Sequence, residues 1–314
     1  MELLLPPLPA TPARVLRTPE ECFQHLPDFP YAPHHTEVGG LRIAHIDEGP
    51  RNAAPVLLMH GEPTWSYLYR HFIPVLVAAG HRVVVPDLVG CGRSDKPASQ
   101  RDYSYARHMA WMNAWLEAND LRSITLFCQD WGSLIGLRMV TAHPDRFARV
   151  VVGNGGLPTG DGRVPRAFAI WKNFARWSPW FPIGRIVNSG CVRQLAPEEI
   201  AAYNAPFPSR TYTGAVRSFP GFVPVTPNDP ERAANLAAWQ VLQQWRKPFL
   251  TLFSSRDPIT RGLEKVFQQR IPGAAGQPHD IVRKAGHFLQ EDCGPELARR
   301  IDAFIQATPV EVRP

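Results

Sequence analysis

The feature that most constrains this chain is a set of short, unbroken apolar runs, each stopping at a glycine or a polar residue. They are Pro55–His60 (PVLLMH, then Gly61), Arg82–Pro86 (RVVVP, then Asp87), Ser123–Cys128 (SITLFC, then Gln129 and Asp130) and Arg149–Val152 (RVVV, then Gly153 and Asn154). Runs that are apolar at nearly every position suit strands covered on both faces, the usual state in a parallel sheet. Helical stretches fall between them at Tyr67–Ala79, Tyr105–Asn119 and Ser133–Ala142, the last stopping before Pro144. The alternation predicts a mostly parallel sheet flanked by helices, an α/β fold. In such sheets chemistry gathers beyond the carboxyl ends of the strands, where the polar residues just named sit. An earlier run, Leu41–Ile46 (LRIAHI), alternates and reads as a half-exposed strand.

The pattern then breaks. From Leu157 to about Pro230 the chain is dense in proline, glycine and aromatics, with no comparable strand run. It resumes with Phe249–Ser254 (FLTLFS) and Asp280–Arg283 (DIVR), and closes on a helix over Pro295–Ala307. The expected organisation is a main domain in two parts, 1–156 and 231–314, with an inserted helical cap over 157–230.

Within Cys128-Gln129-Asp130-Trp131-Gly132 an apolar strand ends and a helix begins. A sharp strand–turn–helix corner needs small residues two before and two after its central residue, as in G-x-S-x-G. Here Cys128 and Gly132 flank Asp130. A carboxylate is already ionised at neutral pH and can displace a leaving group from carbon, giving an ester on the protein. Water must then attack that ester, which requires a general base. The competing reading makes Asp130 a plain helix cap for a helix starting near Ser133. Ser133 itself is a rival nucleophile, although its place falls past the corner.

The base expected from chain order is the histidine after the last strand, His287 in Gly286-His287-Phe288. His60 and His108 read as structural. Asp257, after the FLTLFS strand, is placed to hold the His287 imidazole in one tautomer and to stabilise its charged form; an Asp257-Pro258 turn is the alternative. Asn154 marks the other strand end where such an acid could sit, but an amide lacks the charge. The loop His60-Gly61-Glu62-Pro63-Thr64-Trp65 should supply one oxyanion donor, the Glu62 N–H, and the residue after the nucleophile the other, the Trp131 N–H. A Glu62 side chain in a dry pocket has no evident purpose from sequence.

The HGEPTWSYLYR segment, the QDW corner, PDLVGCGRSDKP and AGHFLQED together resemble the haloalkane dehalogenases, and the likeness covers nearly the whole chain. The matching branch carries its acid after the later strand. The resemblance implies an α/β-hydrolase fold and hydrolysis of a carbon–halogen bond through an aspartyl ester, with no metal or organic cofactor. It implies that the Trp131 side-chain N–H binds the departing halide, since indole donates without being charged. It also implies a second halide donor from the first part of the cap. Trp171 matches best, with Trp177 and Trp180 as rivals. The corner departs from the family in reading DWGS, with Ser133 where a second glycine is usual. Phe168, Ile170, Trp177, Phe181, Phe207, Phe219 and Phe222 are expected to shape the pocket. An epoxide hydrolase shares this machinery and would use two cap tyrosines, for which Tyr203 and Tyr212 are candidates. The Glu in HGEP and the Trp after the nucleophile disfavour it. Fluoroacetate-type relatives carry Arg after the nucleophile, which this chain lacks. A catalytically silent binding protein would show a broken triad.

Composition supports the same class. Among 314 residues, 44% hydrophobic and 20% charged describe a globular chain. The net charge of +6 comes from scattered Lys and Arg rather than a basic run, so no nucleic-acid partner is expected. The 5 cysteines are odd in number and far apart, as for free thiols in a reducing compartment. MELLLPPLPATPARVL lacks the basic start of a secretory signal, and no apolar run could cross a bilayer. The expectation is a cytoplasmic monomer whose partners are a small apolar halogenated substrate and its halide product.

Overall fold

The computed structural model describes residues 6–162 and 164–309. Residues 1–5, the start of the MELLLPPLPATPARVL segment, lie outside them. Eight strands form one sheet: β1 His34–Val38, β2 Leu41–Glu48, β3 Pro55–Met59, β4 Arg82–Pro86, β5 Ile124–Asp130, β6 Phe147–Gly155, β7 Phe249–Ser254 and β8 Asp280–Val282. Their spatial order is β8-β7-β6-β5-β3-β4-β2-β1. Pairing is parallel from β8 to β4 and antiparallel at β4–β2 and β2–β1. Every residue of β3, and all of β5 except Asp130, is buried, as their unbroken apolar runs require. The expectation of a half-exposed LRIAHI strand is corrected: only Arg42 and Glu48 of β2 are partly exposed, because the strand lies inside the sheet and its polar side chains are partnered, Asp47 by Arg51 and Arg82 and His45 by the Trp115 ring.

The helices of the main body are α1 Ile73–Ala78, α2 Tyr105–Ala118 and α3 Trp131–Ala142. The helix expected over Tyr67–Ala79 divides into a single 3-10 turn at Ser66–Tyr69 and the short α1. Pro74, at the first turn of α1, has no N–H to continue an upstream helix and disfavours a helical residue before it. Helix α3 begins at Trp131, two residues earlier than its pattern suggests.

After β6 come four helices: α4 Arg166–Trp177, α5 Ile183–Ser189, α6 Pro197–Asn204 and α7 Gly214–Phe222. Next, α8 Arg232–Leu242 returns to pack on α3, and α9 Glu264–Arg270 packs on β7. The closing helix α10 runs Leu289–Ala307 and is broken at Cys293, so it starts six residues before Pro295. Pro295 cannot donate to the Glu291 carbonyl, which accepts from the Arg193 guanidinium instead, at 2.8 Å.

A buried ionic cluster ties the inserted helices to the main body. Glu291 of α10 accepts from Arg70 at 2.5 and 2.9 Å, and also from Arg193 and the Tyr203 hydroxyl. Glu199 of α6 bonds the same two arginines at 2.6 and 2.7 Å. No helix among the described residues is long and apolar enough to cross a membrane.

Candidate active site

The centre of the site is the corner between β5 and α3. Asp130 adopts φ 50°, ψ −125°, a region that costs an ordinary L-residue energy and is retained where the fold enforces it. Two glycines enforce it. A Cβ on Gly132 would stand 2.1 Å from the Met59 carbonyl oxygen, and one on Gly61 would stand 2.4 Å from Asp130 Oδ1. The Asp130 side chain accepts no N–H from α3, so it is not the helix cap that its position allows. Its Oδ1 instead accepts the Glu62 backbone N–H at 2.8 Å, across from the end of β3. Trp131 opens α3, so its backbone N–H belongs to the first turn, where helix donors have no intrahelical partner.

His287 lies in the loop between β8 and α10, with Nε2 3.5 Å from Asp130 Oδ2 and Nδ1 3.1 Å from Asp257 Oδ2. Asp257, fully buried, also takes the Ile259 N–H at 2.8 Å and the Thr260 hydroxyl. Burial raises its pKa, but the His287 charge and these hydrogen bonds outweigh that and hold it at about 2. Burial disfavours a charged His287, yet the Asp257 carboxylate, with help from Asp130, holds its pKa up at about 10. The structure therefore brings Asp130, His287 and Asp257 together in one line, hydrogen-bonded between His287 and Asp257 and at ion-pair distance between His287 and Asp130.

Residues that sequence reasoning set aside hold this line in place. Asn154 Nδ2 donates to the carbonyls of Gly286 and His287 at 2.8 and 2.9 Å and to Ser254 Oγ at 2.9 Å, while its Oδ1 accepts the Ser254 N–H at 2.8 Å. An amide that both donates and accepts can staple two strand ends to the base loop; a carboxylate cannot. Gln129 adds a donor to the His287 carbonyl at 3.2 Å. Ser133 is fully buried, donates to the Asp130 carbonyl at 2.6 Å and accepts the Gly156 N–H at 2.9 Å, which leaves it no role as a nucleophile. His60 accepts the Leu88 N–H on Nε2, a structural contact.

Above the corner lies a cavity of about 1150 Å³ lined by Asp130, Trp131, His287, Glu62, Phe168 and Trp171 among others. The Trp131 ring is wedged by Tyr105, Phe219 and Phe222 at centroid distances of 5.1, 4.8 and 6.4 Å. Trp171 stacks on Phe174 and Phe181, and its Nε1 donates to Glu62 Oε2 at 3.2 Å. Its rivals Trp177 and Trp180 are 70% and 60% exposed and do not line this cavity. Several expected pocket residues stand elsewhere. Ile170 is 62% exposed, and Phe181 and Phe207 line a separate, smaller cavity. Helix α4 turns its 168 and 171 positions inward, which puts 170 and 177 on its outer face. Tyr203 is buried against Glu291, and neither it nor Tyr212 lines the main cavity.

A mostly parallel sheet in this strand order, with a carboxylate on the sharp corner that ends β5 and a histidine after β8, defines an α/β hydrolase. A sequence model of the alpha/beta hydrolase fold matches residues 54–292. The haloalkane dehalogenase of Psychrobacter cryohalolentis is 52% identical over 301 residues, covering 94% of this chain and 99% of the relative. That of Mycobacterium marinum is 53% identical over 292 residues, covering 91% and 98%. Among solved structures, the tetrameric haloalkane dehalogenase DpaA from Paraglaciecola agarilytica NO2 superposes with a TM-score of 0.86 at 36% identity, covering 91% of this chain and 97% of that one. The chain belongs to the haloalkane dehalogenases.

Proposed function

We propose that this chain hydrolyses haloalkanes to alcohol, halide and a proton through an alkyl ester on Asp130. The observation that carries this reading is the division of labour between the two Asp130 oxygens. Oδ1 sits on the Glu62 N–H, which leaves Oδ2, 3.5 Å from His287 Nε2, as the free oxygen of a residue that lines the cavity. Oδ2 attacks the halogen-bearing carbon in line, the carbon–halogen bond breaks, and the halide leaves toward the indole N–H groups of Trp131 and Trp171. Neutral donors stabilise halide without forming an ion pair with Asp130.

Ester formation removes the Asp130 charge. That charge is one of the influences holding the His287 pKa up, so the imidazole becomes a more available base when the second step needs it. Neutral His287, with Nδ1–H on Asp257, takes a proton from water through Nε2. The water oxygen adds to the ester carbonyl, whose developing charge falls on Oδ1 between the N–H groups of Glu62 and Trp131. Collapse releases the alcohol and restores the carboxylate. The reading assigns catalysis to Asp130, His287 and Asp257, and needs no metal or organic cofactor. Residues 157–230 form the cap that closes the apolar cavity over them. The line of reacting groups is complete within one chain, which supports a monomer as the working unit; light scattering at working concentration tests it.

Single-turnover hydrolysis of 1-bromobutane in oxygen-18 water tests the ester. The first alcohol should carry light oxygen from Asp130, and the label should enter the protein. Alcohol labelled in the first turnover would replace the ester with direct attack by water. An epoxide assay run in parallel checks the other use of this machinery, which the placement of Tyr203 and Tyr212 argues against.

A further inference from the structure

Glu62 gives the cavity a second carboxyl that the reaction above uses only through its backbone. Its side chain is 4% exposed. Oε2 accepts the Trp171 indole N–H at 3.2 Å, while Oε1 is buried with no partner. No Lys or Arg among the described residues pairs with it. The titratable groups that face it are Asp130 from β5, His287 from the loop before α10 and, more weakly, Cys91 after β4; the cap contributes only the neutral Trp171. Burial and the Asp130 charge push the Glu62 pKa well above the carboxylate range, against the smaller influence of Trp171 and His287. Two adjacent carboxyls in a dry site do not both ionise, and Glu62, the more buried of the two, is the one that stays protonated.

We propose that Glu62 is a protonated positioning carboxyl: it holds the Trp171 N–H while the halide site is empty, and competes with halide for that donor. This rests on the assignment of Trp171 to halide. A neutral carboxyl is a modest acceptor, so halide can take the indole, and Glu62 takes it back as halide departs. An ionised Glu62 would hold the indole about twice as strongly and would repel the halide as well. Halide affinity therefore falls as pH rises through the Glu62 pKa, because the protonated form below it is the one that admits halide.

Bromide affinity, read from tryptophan fluorescence quenching between pH 6 and 10, tests this in the wild type, Glu62→Gln, Glu62→Met and Trp171→Phe, with Trp131 as the reporter in the last. Glutamine copies the neutral carboxyl, so Glu62→Gln should keep the low-pH affinity and lose the high-pH weakening, which in the wild type should reach at least about tenfold. His287 is present in both proteins, so the difference between the two profiles reports Glu62. Glu62→Met removes the competing acceptor, and bromide release by stopped flow should slow about fivefold, the loss of one modest hydrogen bond. Infrared difference spectra on bromide binding should show a protonated-carboxyl band in the wild type that Glu62→Gln lacks; this measurement needs only that the variant folds. A high-pH loss that survives in Glu62→Gln, or release from Glu62→Met as fast as wild type, overturns the inference. Unchanged bromide affinity in Trp171→Phe would instead overturn the halide assignment beneath it.

Discussion

Replacing Asn154 separates support of the Asp130–His287–Asp257 line from the chemistry proposed for it. Asn154 is fully buried and makes four hydrogen bonds, to Ser254 N–H and Oγ and to the carbonyls of Gly286 and His287. In Asn154→Leu the Ser254 N–H loses its partner, and an orphaned buried donor costs about 1–3 kcal/mol. The two carbonyls keep one donor each, from Ser254 Oγ at 2.7 Å and Gln129 at 3.2 Å, so each lost bond there costs nearer about 0.5–1 kcal/mol. The total is about 3 kcal/mol, which at about 2–4 °C per kcal/mol lowers the melting temperature by roughly 6–12 °C. Asn154→Asp keeps the acceptor for Ser254 but turns an oxygen toward both carbonyls, so the new carboxyl must stay protonated when folded. A carboxyl whose folded pKa is raised destabilises once pH exceeds its unfolded value, and the penalty grows until the folded pKa is reached. Relative to wild type at the same pH, Asn154→Asp should therefore melt lower at pH 8 than at pH 5. The His287 loop hangs from Asn154 while Asp130 does not, so rapid-quench kinetics should show ester formation retained and ester hydrolysis slowed in both variants. A melting temperature within about 2 °C of wild type for Asn154→Leu, with unchanged ester hydrolysis, would refute the reasoning.

Four further outcomes follow from the same geometry. Asp257→Asn should leave the alkylation burst intact and slow ester hydrolysis by about 10³–10⁴-fold, seen as an ester adduct in intact-protein mass spectra. The His287–Asp257 pair stabilises the fold fully between the unfolded values of 3.8 and 6.5, and that contribution fades as pH falls through about 2 or rises through about 10; denaturation curves for wild type and Asp257→Asn should diverge most between those two unfolded values, less at higher pH, and converge above pH 10. Gly132→Ala forces a Cβ to 2.1 Å from the Met59 carbonyl, so the start of α3 must shift and displace the adjoining Asp130 at the end of β5, and halide-release assays should show activity down by at least about a hundredfold. Glu291→Leu leaves Arg70, whose side chain is fully buried, with Glu199 alone, and urea titration should read a loss of about 3–5 kcal/mol.

The fold was legible wherever a single physical demand acts on consecutive residues. Burial on both faces makes β3, β4, β5 and β6 apolar at nearly every position, and that pattern needs no knowledge of neighbours. It misleads at β2, where alternating polar residues His45 and Asp47 are buried: Asp47 is paired with Arg51 and Arg82, while His45 packs edge-on against Trp115. Long-range partners of that kind leave no local trace. Helix starts shift for the opposite reason. Trp131 and Leu289 begin helices that their own propensities do not announce, because the corner and the base loop fix the backbone from outside.

The site divides in the same way. Asp130, His287 and Asp257 are visible because each must follow a strand end, and chain order then leaves few candidates. Asn154 also stands at a strand end, yet sequence supports only the negative statement that an amide cannot act as the acid. Its actual contacts lie 100 to 133 residues away along the chain, on β7 and the His287 loop. The cap is harder still. Both Trp171 and Trp177 belong to α4, and only the packing of Trp171 on Phe174 and Phe181 decides which indole turns inward. Glu62 is the extreme case: its backbone role follows from its loop, whereas its side chain acquires meaning only once Trp171 is brought within 3.2 Å from a helix more than a hundred positions downstream. What a strand end dictates is therefore readable in one dimension, and what residues 157–230 add, including the placement of Trp171 over Glu62, is set by contacts that exist only after folding.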